Sequence, residues 1–272
     1  MFTSERFVIN EINGVTFLTV PSFTATGLVK HAFSTRIGGV SKGQYSKMNL
    51  SFGNGDIEKN VRENFARIFT AIGSENQNRL VMSRQEHTDI VKTVTQNDAG
   101  KGILRERDAS AVDGMITNEA NLPLVTLYAD CVPLVFFDPV KKVIASSHSG
   151  WKGTVQKIGA VTVKKMADEF GSDPSDILAA ILPCIGPCCY EVDKPLYDAF
   201  GGGDIFTKAA REGYYMLDLV KANEQILLSA GIKPANLTVT DVCTNCNADT
   251  LHSHRATSGH RGNLAAIIEL AK

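Results

Sequence analysis

The sequence has almost no net charge, because 28 basic and 29 acidic side chains leave a formal charge of −1. A chain without a basic excess cannot concentrate polyanions, so a general nucleic-acid binder is not expected. No run approaches the roughly 18 apolar residues of a membrane-spanning helix, and the N-terminus lacks the basic-then-apolar build of a secretion signal. These absences predict a cytoplasmic protein whose partner is a small molecule rather than nucleic acid or membrane.

Linkers rich in glycine or proline, internal repeats and low-complexity tracts are also missing, so nothing marks a domain boundary. The 272 residues are 43% apolar, and such an apolar share with balanced charge is typical of a packed globular chain. We therefore expect one domain over residues 1–272, as a monomer or a weak homodimer.

Cysteine is scarce and does not form the dense pattern of a small secreted protein. Reduced thiols or thiolate ligands are expected instead. Cys243 and Cys246 have Cys-x-x-Cys spacing and precede His252 and His254, which can indicate a structural zinc site. The other group, Cys184, Cys188 and Cys189, lacks that spacing. Small buried residues around a Gly-Pro turn are therefore favoured over a second metal site.

Periodicity predicts a mixed α/β fold with much antiparallel pairing. Apolar residues at helical spacing predict helices over 57–72, from Trp151 to near Gly171, and from an N-cap at Asp218 to Gly231. Short runs, most of them rich in β-branched or aromatic residues, predict strands over 80–82, 90–94, 111–117, 122–127, 132–137, 143–147, 177–181 and 237–240. The run 264–270 fits a strand or a helix.

A chemical signal lies in the predicted hairpin that connects Cys131 to His148. If Pro139 and Val140 form a two-residue loop, Cys131 stands directly opposite His148. Directly opposite residues of an antiparallel pair have Cβ atoms about 4.5–5.5 Å apart, so sulfur and imidazole could reach a common ion. A bulge at the proline would shift this register.

The Cys131–His148 pair allows three interpretations. With His87 as a third ligand it forms a catalytic zinc site that keeps a position open. As a nucleophile site, Cys131 would attack with His148 as its base and Asp130 or Glu86 as the orienting group. Alternatively, Cys131 is an ordinary core residue. Spacing alone leaves all three open.

Eight short motifs follow one another in the sequence, at 35–41, 49–50, 85–87, 129–133, 148–154, 186–192, 243–244 and 253–255. Their order resembles the laccase-domain family, the YfiH-like proteins once called multicopper polyphenol oxidases and now regarded as purine nucleoside phosphorylases. The resemblance covers roughly residues 30–270. Thr88 and Ser149 depart from the family pattern, which often has glycine and alanine there.

The resemblance implies a four-layer α/β/β/α domain and a zinc centre with His87, Cys131 and His148 as ligands. It also implies phosphorolysis of adenosine, inosine and methylthioadenosine, with adenosine deamination as a further activity. In deamination, zinc would activate a water and Asp130 or Glu86 would carry the proton.

Phosphorolysis requires groups that hold an anion. Arg36 and Arg255 are the candidate phosphate ligands, because arginine offers a bidentate fork. Asn49, Ser147 and Tyr190 are candidates for binding ribose hydroxyls.

Two other functions stay open. A metal-free cysteine hydrolase would use Cys131 and His148. A copper-dependent phenol oxidase ranks last, because copper oxidases need several histidine-rich motifs and this chain has six dispersed histidines.

Overall fold

A computed structural model describes residues 2–271 and contains two large sheets flanked by helices. Its strands are β1 Val8–Ile12, β2 Val15–Thr19, β3 Val29–Ser34, β4 Val81–Met82, β5 Val91–Thr93, β6 Gly114–Thr117, β7 Leu124–Tyr128, β8 Val132–Asp138, β9 Val143–Ser149, β10 Leu178–Ile181, β11 Glu191–Val192, β12 Phe206–Lys208, β13 Tyr215–Leu217, β14 Leu237–Val239 and β15 Leu264–Leu270. Its helices are α1 Pro21–Thr24, α2 Glu58–Ala71, α3 Trp151–Val155, α4 Ile158–Phe170, α5 Lys194–Ala199, α6 Leu219–Ser229 and α7 His254–Thr257. No helix among these residues is long and apolar enough to cross a membrane.

The strands form two six-stranded sheets and one small sheet. The first large sheet has the order β1-β2-β3-β15-β7-β4, the second has the order β14-β10-β8-β9-β6-β5, and the small one has the order β11-β13-β12. Most neighbours pair antiparallel, as predicted, whereas β4–β7, β5–β6 and β10–β14 pair parallel. The run 264–270 is a buried strand between β3 and β7.

Burial of apolar side chains produces four layers. One core lies between the two large sheets and includes Phe33, Tyr128 and Phe137. A second packs α2 against the first sheet, and a third packs α4 and α6 against the second sheet. This arrangement confirms the expected α/β/β/α architecture.

The predicted helices form with small differences at their ends. Asp218 caps α6 by accepting a hydrogen bond from the backbone N–H of Lys221 at 2.8 Å. The helix predicted from Trp151 to Gly171 is two helices, because Lys157 adopts a left-handed conformation with φ 59° between them. Periodicity continues through such a break, so the sequence pattern does not reveal it.

The β8–β9 hairpin has a different register from the predicted one. Asp138 pairs with Val143 and Pro133 pairs with His148, so the loop has four residues rather than two. The Asp138 carboxylate accepts hydrogen bonds from the N–H groups of Val140 and Lys141, at 2.8 and 2.9 Å, which stabilises the longer turn. The shift is two residues, so it keeps His148 on the face that Cys131 requires.

Candidate metal centre and active-site cavity

Three side chains predicted as metal ligands meet at one point. The donor atoms of His87, Cys131 and His148 all lie within 4.8 Å of one another. Cys131 Sγ is 3.7 Å from His87 Nε2, and the two imidazole rings are 4.8 Å apart in an edge-to-face arrangement. Bonds of about 2.0–2.3 Å to one zinc ion require donor atoms roughly 3.3–3.8 Å apart. The distance between Cys131 Sγ and His87 Nε2 falls in this range and the His148 nitrogen lies within 4.8 Å of both, so two imidazoles and a thiolate converge as a zinc site requires.

Each of the three residues comes from a different segment. His87 lies in the loop between β4 and β5 with φ 64°, Cys131 directly precedes β8, and His148 lies on β9. Cys131 is the point where the chain passes from the first large sheet, which contains β7, to the second, which contains β8. The cluster thus forms where the two sheets meet.

A fully buried aspartate orients this cluster. Asp113 Oδ1 lies 2.8 Å from His148 Nδ1 and accepts a hydrogen bond from the backbone N–H of His87 at 3.0 Å. Its Oδ2 accepts from the N–H groups of Glu86 and Thr88 and from the Thr88 hydroxyl. Through these bonds Asp113 fixes the His87 loop and directs His148 Nε2 toward Cys131. Such carboxylate–histidine pairs orient metal ligands in many proteins.

The cluster is electrostatically coupled. Burial disfavours the Cys131 thiolate, but the charge of His148 and hydrogen bonds with both imidazoles outweigh it and lower the pKa of Cys131 to about 6. Burial would lower the pKa of His148, yet the Cys131 thiolate and Asp113 raise it to about 9. Burial likewise disfavours charge on Asp113, but bonds from His148 and Thr88 lower its pKa to about 2. Metal binding must therefore displace a proton from His148.

Gly150 makes room for the cluster. A Cβ atom at this position would lie 2.5 Å from the His87 ring and 3.2 Å from Cys131 Sγ. Any larger residue would push the two ligands apart. Only glycine leaves the donor atoms at their present spacing.

The cluster opens into a cavity of about 600 Å³. Besides the three candidate ligands, its lining includes Arg84, Arg107 and Arg261 and the apolar residues Leu127 and Ala129. Burial lowers the pKa of Arg107, and the charge of Arg84 lowers it further, so these two cations face each other. Within residues 2–271, Arg107 and Arg261 form no ion pair with a carboxylate. The lining also contains Glu86, Glu106 and Asp108, of which Glu86 pairs with Arg84 and Asp108 pairs with Lys92 and Lys101. The two arginines without an ion pair, Arg107 and Arg261, are suited to an anionic ligand.

The two carboxylates predicted to carry protons differ in position. Glu86 lines the cavity and pairs with Arg84 at 2.5 Å. Asp130 is not in the lining; its oxygens accept hydrogen bonds from Thr244 Oγ1 at 2.6 Å and from the backbone N–H of Arg255 at 2.7 Å. Its observed contacts connect the loops that contain Thr244 and Arg255, and the proton-transfer role predicted for Asp130 stays a prediction.

The two arginines predicted to bind phosphate are engaged elsewhere. Arg36 donates to the backbone oxygens of Ser46 and Ala248, at 2.6 and 2.7 Å. Arg255 donates to the backbone oxygens of Cys189 and Glu191, each at 3.1 Å. Neither is among the residues that line the cavity, and both connect loops through these contacts, so phosphate binding by Arg36 and Arg255 stays a prediction.

The residues predicted to bind ribose are also outside the cavity lining. Asn49 is fully buried and bonds Asp56 and the backbone of Asn263. Ser147 lies on the opposite face of β9 from His148, where its hydroxyl contacts that of Thr162 at 2.7 Å. Tyr190 lies beneath the guanidinium of Arg255. Asn49 and Tyr190 lie in family motifs and Ser147 directly precedes one, but such a position in the sequence does not report the direction of a side chain.

The sequence analysis did not identify three arginines of the cavity lining or the aspartate that orients the cluster. Arg84 directly precedes the Gln85-Glu86-His87 motif, and Arg107 and Arg261 occur in polar segments that give no periodic signal. Asp113 is an acidic residue inside a predicted strand, which is the one signal that could have revealed it, because buried carboxylates need a partner.

Thr88 and Ser149, the two residues that depart from the family pattern, both form side-chain hydrogen bonds. The Thr88 hydroxyl adds a hydrogen bond to Asp113 at 2.8 Å. Ser149 bonds Thr154 and Asn223 in a buried network beneath α6. Neither residue lines the cavity.

The chain is similar in sequence and in fold to several known proteins. A family model described as multi-copper polyphenol oxidoreductase laccase matches residues 30–271. A protein named purine nucleoside phosphorylase YlmD, from Bacillus subtilis, is 36% identical over 87% of this chain and 86% of its own. One named adenosine deaminase RL5, from an unknown prokaryotic organism, is 31% identical over 82% of this chain and 87% of its own. The crystal structure of the hypothetical protein YfiH from Bacillus licheniformis superposes with a TM-score of 0.90 at 32% identity, covering 98% of this chain and 99% of that one.

Proposed function

Because the chain belongs to the multi-copper polyphenol oxidoreductase laccase family, we propose that it is a zinc-dependent purine nucleoside phosphorylase that also deaminates adenosine. Its substrates would be adenosine, inosine or methylthioadenosine together with phosphate, and its products the free base and a ribose 1-phosphate. The observation that carries the proposal is the cavity itself, which combines the candidate metal ligands His87, Cys131 and His148 with three arginines, two of which form no ion pair within residues 2–271.

Phosphate would bind to Arg84, Arg107 and Arg261. In phosphorolysis, phosphate attacks the ribose carbon while the glycosidic bond to the base breaks, so the site must hold a multiply charged anion beside the sugar. Guanidinium forks bind phosphate oxygens in pairs and keep their charge at any physiological pH. The purine would contact Leu127 and Ala129, the apolar part of the lining.

Glu86 would move the proton. Deamination of adenosine consumes water and releases ammonia, so a proton must pass from the water to the leaving nitrogen. Among the carboxylates of the lining, Glu86 is adjacent in sequence to the candidate metal ligand His87, and Arg84 holds its side chain at 2.5 Å.

His87, Cys131 and His148 would hold the metal ion, with Asp113 orienting His148. When bound, the ion supplies a Lewis acid that lowers the pKa of water. Three protein ligands also leave room for a reactant, as in catalytic rather than structural zinc sites.

The variant Arg107→Gln tests the proposed phosphate site. We expect a loss of about 10- to 100-fold in phosphorolysis of inosine, mostly as a higher KM for phosphate, because a charge-assisted contact contributes roughly 1.5–3 kcal/mol. Deamination of adenosine should change much less. Arg105→Gln is the matched control, since Arg105 bonds only loop carbonyls outside the cavity.

Purified enzyme with adenosine, with and without phosphate, tests the function as a whole. Adenine should appear only with phosphate, and inosine should appear in both reactions. If phosphate made no difference and no inosine formed, the proposal would be wrong.

The Cys131–His148–Asp113 arrangement favours one alternative, a cysteine hydrolase, because it has the order of nucleophile, base and orienting carboxylate. In that case iodoacetamide would inactivate the enzyme and chelators would have no effect. Metal analysis of the purified protein also shows whether the bound metal is zinc or copper. Oxidation of a phenol would support the remaining alternative, a copper-dependent phenol oxidase.

A further inference from the structure

Four cysteines outside the cavity form a second cluster, made of Cys188, Cys189, Cys243 and Cys246. All four sulfur atoms lie within 4.8 Å of one another. Cys246 Sγ is 3.6 Å from Cys188 Sγ and 3.4 Å from Cys189 Sγ. This four-cysteine cluster has no residue in the cavity lining.

The spacing of the sulfurs excludes disulfide bonds and fits a metal ion. A disulfide has an S–S distance of about 2.05 Å, and all four thiols are free. Four thiolates at about 2.3 Å from a tetrahedral zinc ion stand roughly 3.8 Å apart. The Cys246 sulfur lies 3.6 and 3.4 Å from those of Cys188 and Cys189, a few tenths of an ångström below this value.

The surroundings differ from those of ordinary core cysteines. Cys188 and Cys246 are exposed, and Cys189 and Cys243 are half-buried, so an ion could reach the cluster from solvent. In contrast, Cys184 is fully buried and does not belong to the cluster. The explanation by small buried residues around a Gly-Pro turn therefore applies to Cys184 alone.

The backbone around the cluster is already arranged for thiolates. The N–H of Gly186 donates to Cys243 Sγ at 3.2 Å, and such N–H···S bonds stabilise negative charge on a ligand sulfur. An isolated β-bridge pairs the backbones of Cys184 and Cys243, and the backbone N–H of Thr244 donates a hydrogen bond to the backbone oxygen of Cys184 at 2.9 Å. The two loops that supply the sulfurs are thus held in register before any ion binds.

From this geometry we propose that Cys188, Cys189, Cys243 and Cys246 bind one zinc ion as a structural Cys₄ site, separate from the cavity. Zinc is the ion expected, because a closed shell of four soft thiolates with no open position is typical of structural zinc.

The site would fasten the loops behind the cavity. Thr244, one residue after Cys243, donates to Asp130, and the backbone oxygen of Cys189 accepts from Arg255. Asp130 in turn precedes the ligand Cys131. An ion at the four-cysteine cluster would therefore hold the segments that position Cys131, without touching a substrate.

Zinc titration of the full-length, reduced, metal-free chain tests this proposal, with bound zinc measured by mass spectrometry. The wild type should bind two equivalents, and the double variant Cys243→Ser/Cys246→Ser should bind one. Cys131→Ala should also bind one, but with its four-cysteine cluster still loaded. Cys184→Ala is the matched control and should keep two. One equivalent in the wild type, displaced by Cys131→Ala, would overturn the proposal and leave the proposed function standing.

Thiol labelling of the wild type gives a second measurement that no folding defect can obscure. Zinc should slow iodoacetamide labelling of all four cysteines by at least about tenfold, because the bound thiolate is not free to attack. Peptide mapping identifies the sites. Equal labelling with and without zinc would contradict the proposal.

Discussion

At the scale of single residues, Asp113 does more to organise the candidate active site than any predicted residue except the three ligands. It is fully buried, and its two oxygens accept hydrogen bonds from His148 and from three consecutive backbone N–H groups of the Glu86–Thr88 loop. The loop would otherwise leave those N–H groups without partners, and His148 could rotate. One carboxylate therefore supports both the position and the tautomer of the ligands.

The variant Asp113→Asn should weaken zinc binding to the three-ligand cluster by about 10- to 100-fold, the usual effect of removing such an orienting carboxylate. The amide cannot accept at both atoms, so the His87 loop also loses hydrogen bonds. Zinc affinity is measured by competition with a chromogenic chelator.

The matched control is Asp89→Asn, one residue beyond the same loop, where the side chain forms no hydrogen bond or ion pair within residues 2–271. Its zinc affinity should equal that of the wild type. Unchanged affinity in Asp113→Asn would show that the ligands orient themselves.

At the scale of elements, the junction between β3 and α1 contains a buried histidine that must stay neutral. His31 Nε2 accepts a hydrogen bond from the backbone N–H of Val20, the residue before α1, at 2.8 Å. Burial lowers the pKa of His31 to about 4. In the unfolded chain, histidine has a pKa of about 6.5. Between pH 6.5 and 4 the unfolded chain therefore binds a proton at His31, whereas the folded chain does not.

This difference makes the free energy of unfolding fall as the pH falls from 6.5 to 4, and leaves it unaffected above pH 6.5. Protonation of His31 in the unfolded chain should by itself lower the free energy of unfolding by about 2 kcal/mol between pH 7 and pH 5. In His31→Gln the amide oxygen can still accept from Val20 but does not titrate, so this variant should lose about 2 kcal/mol less than the wild type over that interval.

Urea unfolding at the two pH values measures this effect. His260→Gln, at an exposed histidine, should behave as the wild type. An equal loss in His31→Gln and the wild type would mean that other groups cause the acid sensitivity.

At the scale of the whole molecule, the two large sheets meet where β7 leads into β8, and the three-ligand cluster lies at this junction. His87 and His148 reach it from segments far apart in the chain. A metal ion bound there connects these segments in the folded state only. Binding and folding are therefore linked.

Zinc at about 100 times its dissociation constant should add roughly 2.7 kcal/mol to the free energy of unfolding. For a chain of this size that corresponds to about 5–10 °C in Tm. Differential scanning fluorimetry with zinc and with chelator measures it.

Cys131→Ala should lose this part of the shift, whereas Cys184→Ala should retain it. Identical shifts in Cys131→Ala and the wild type would place the stabilising ion elsewhere.

The sequence by itself determined the fold class, most strands and helices, and the three candidate metal ligands that the fold brings together. Strand and helix periodicities reflect which face is buried, and burial dominates the energy of each element. The Cys131–His148 prediction survived a wrong register, because a shift of two residues keeps every side chain on its face. The family motifs added His87, which no local pattern could join to the hairpin.

Only the tertiary structure decided which polar residues face the cavity. Arg36, Arg255, Asn49 and Asp130 belong to motifs, yet their side chains bond loops, whereas Arg84, Arg107 and Arg261 face the cavity without a pattern that predicts it. The direction of a loop side chain depends on contacts with segments distant in sequence. The contacts between Asp113 and the His87 loop are an example. For the same reason the four sulfurs of the second cluster, from two loops more than fifty residues apart, become neighbours only in the folded chain.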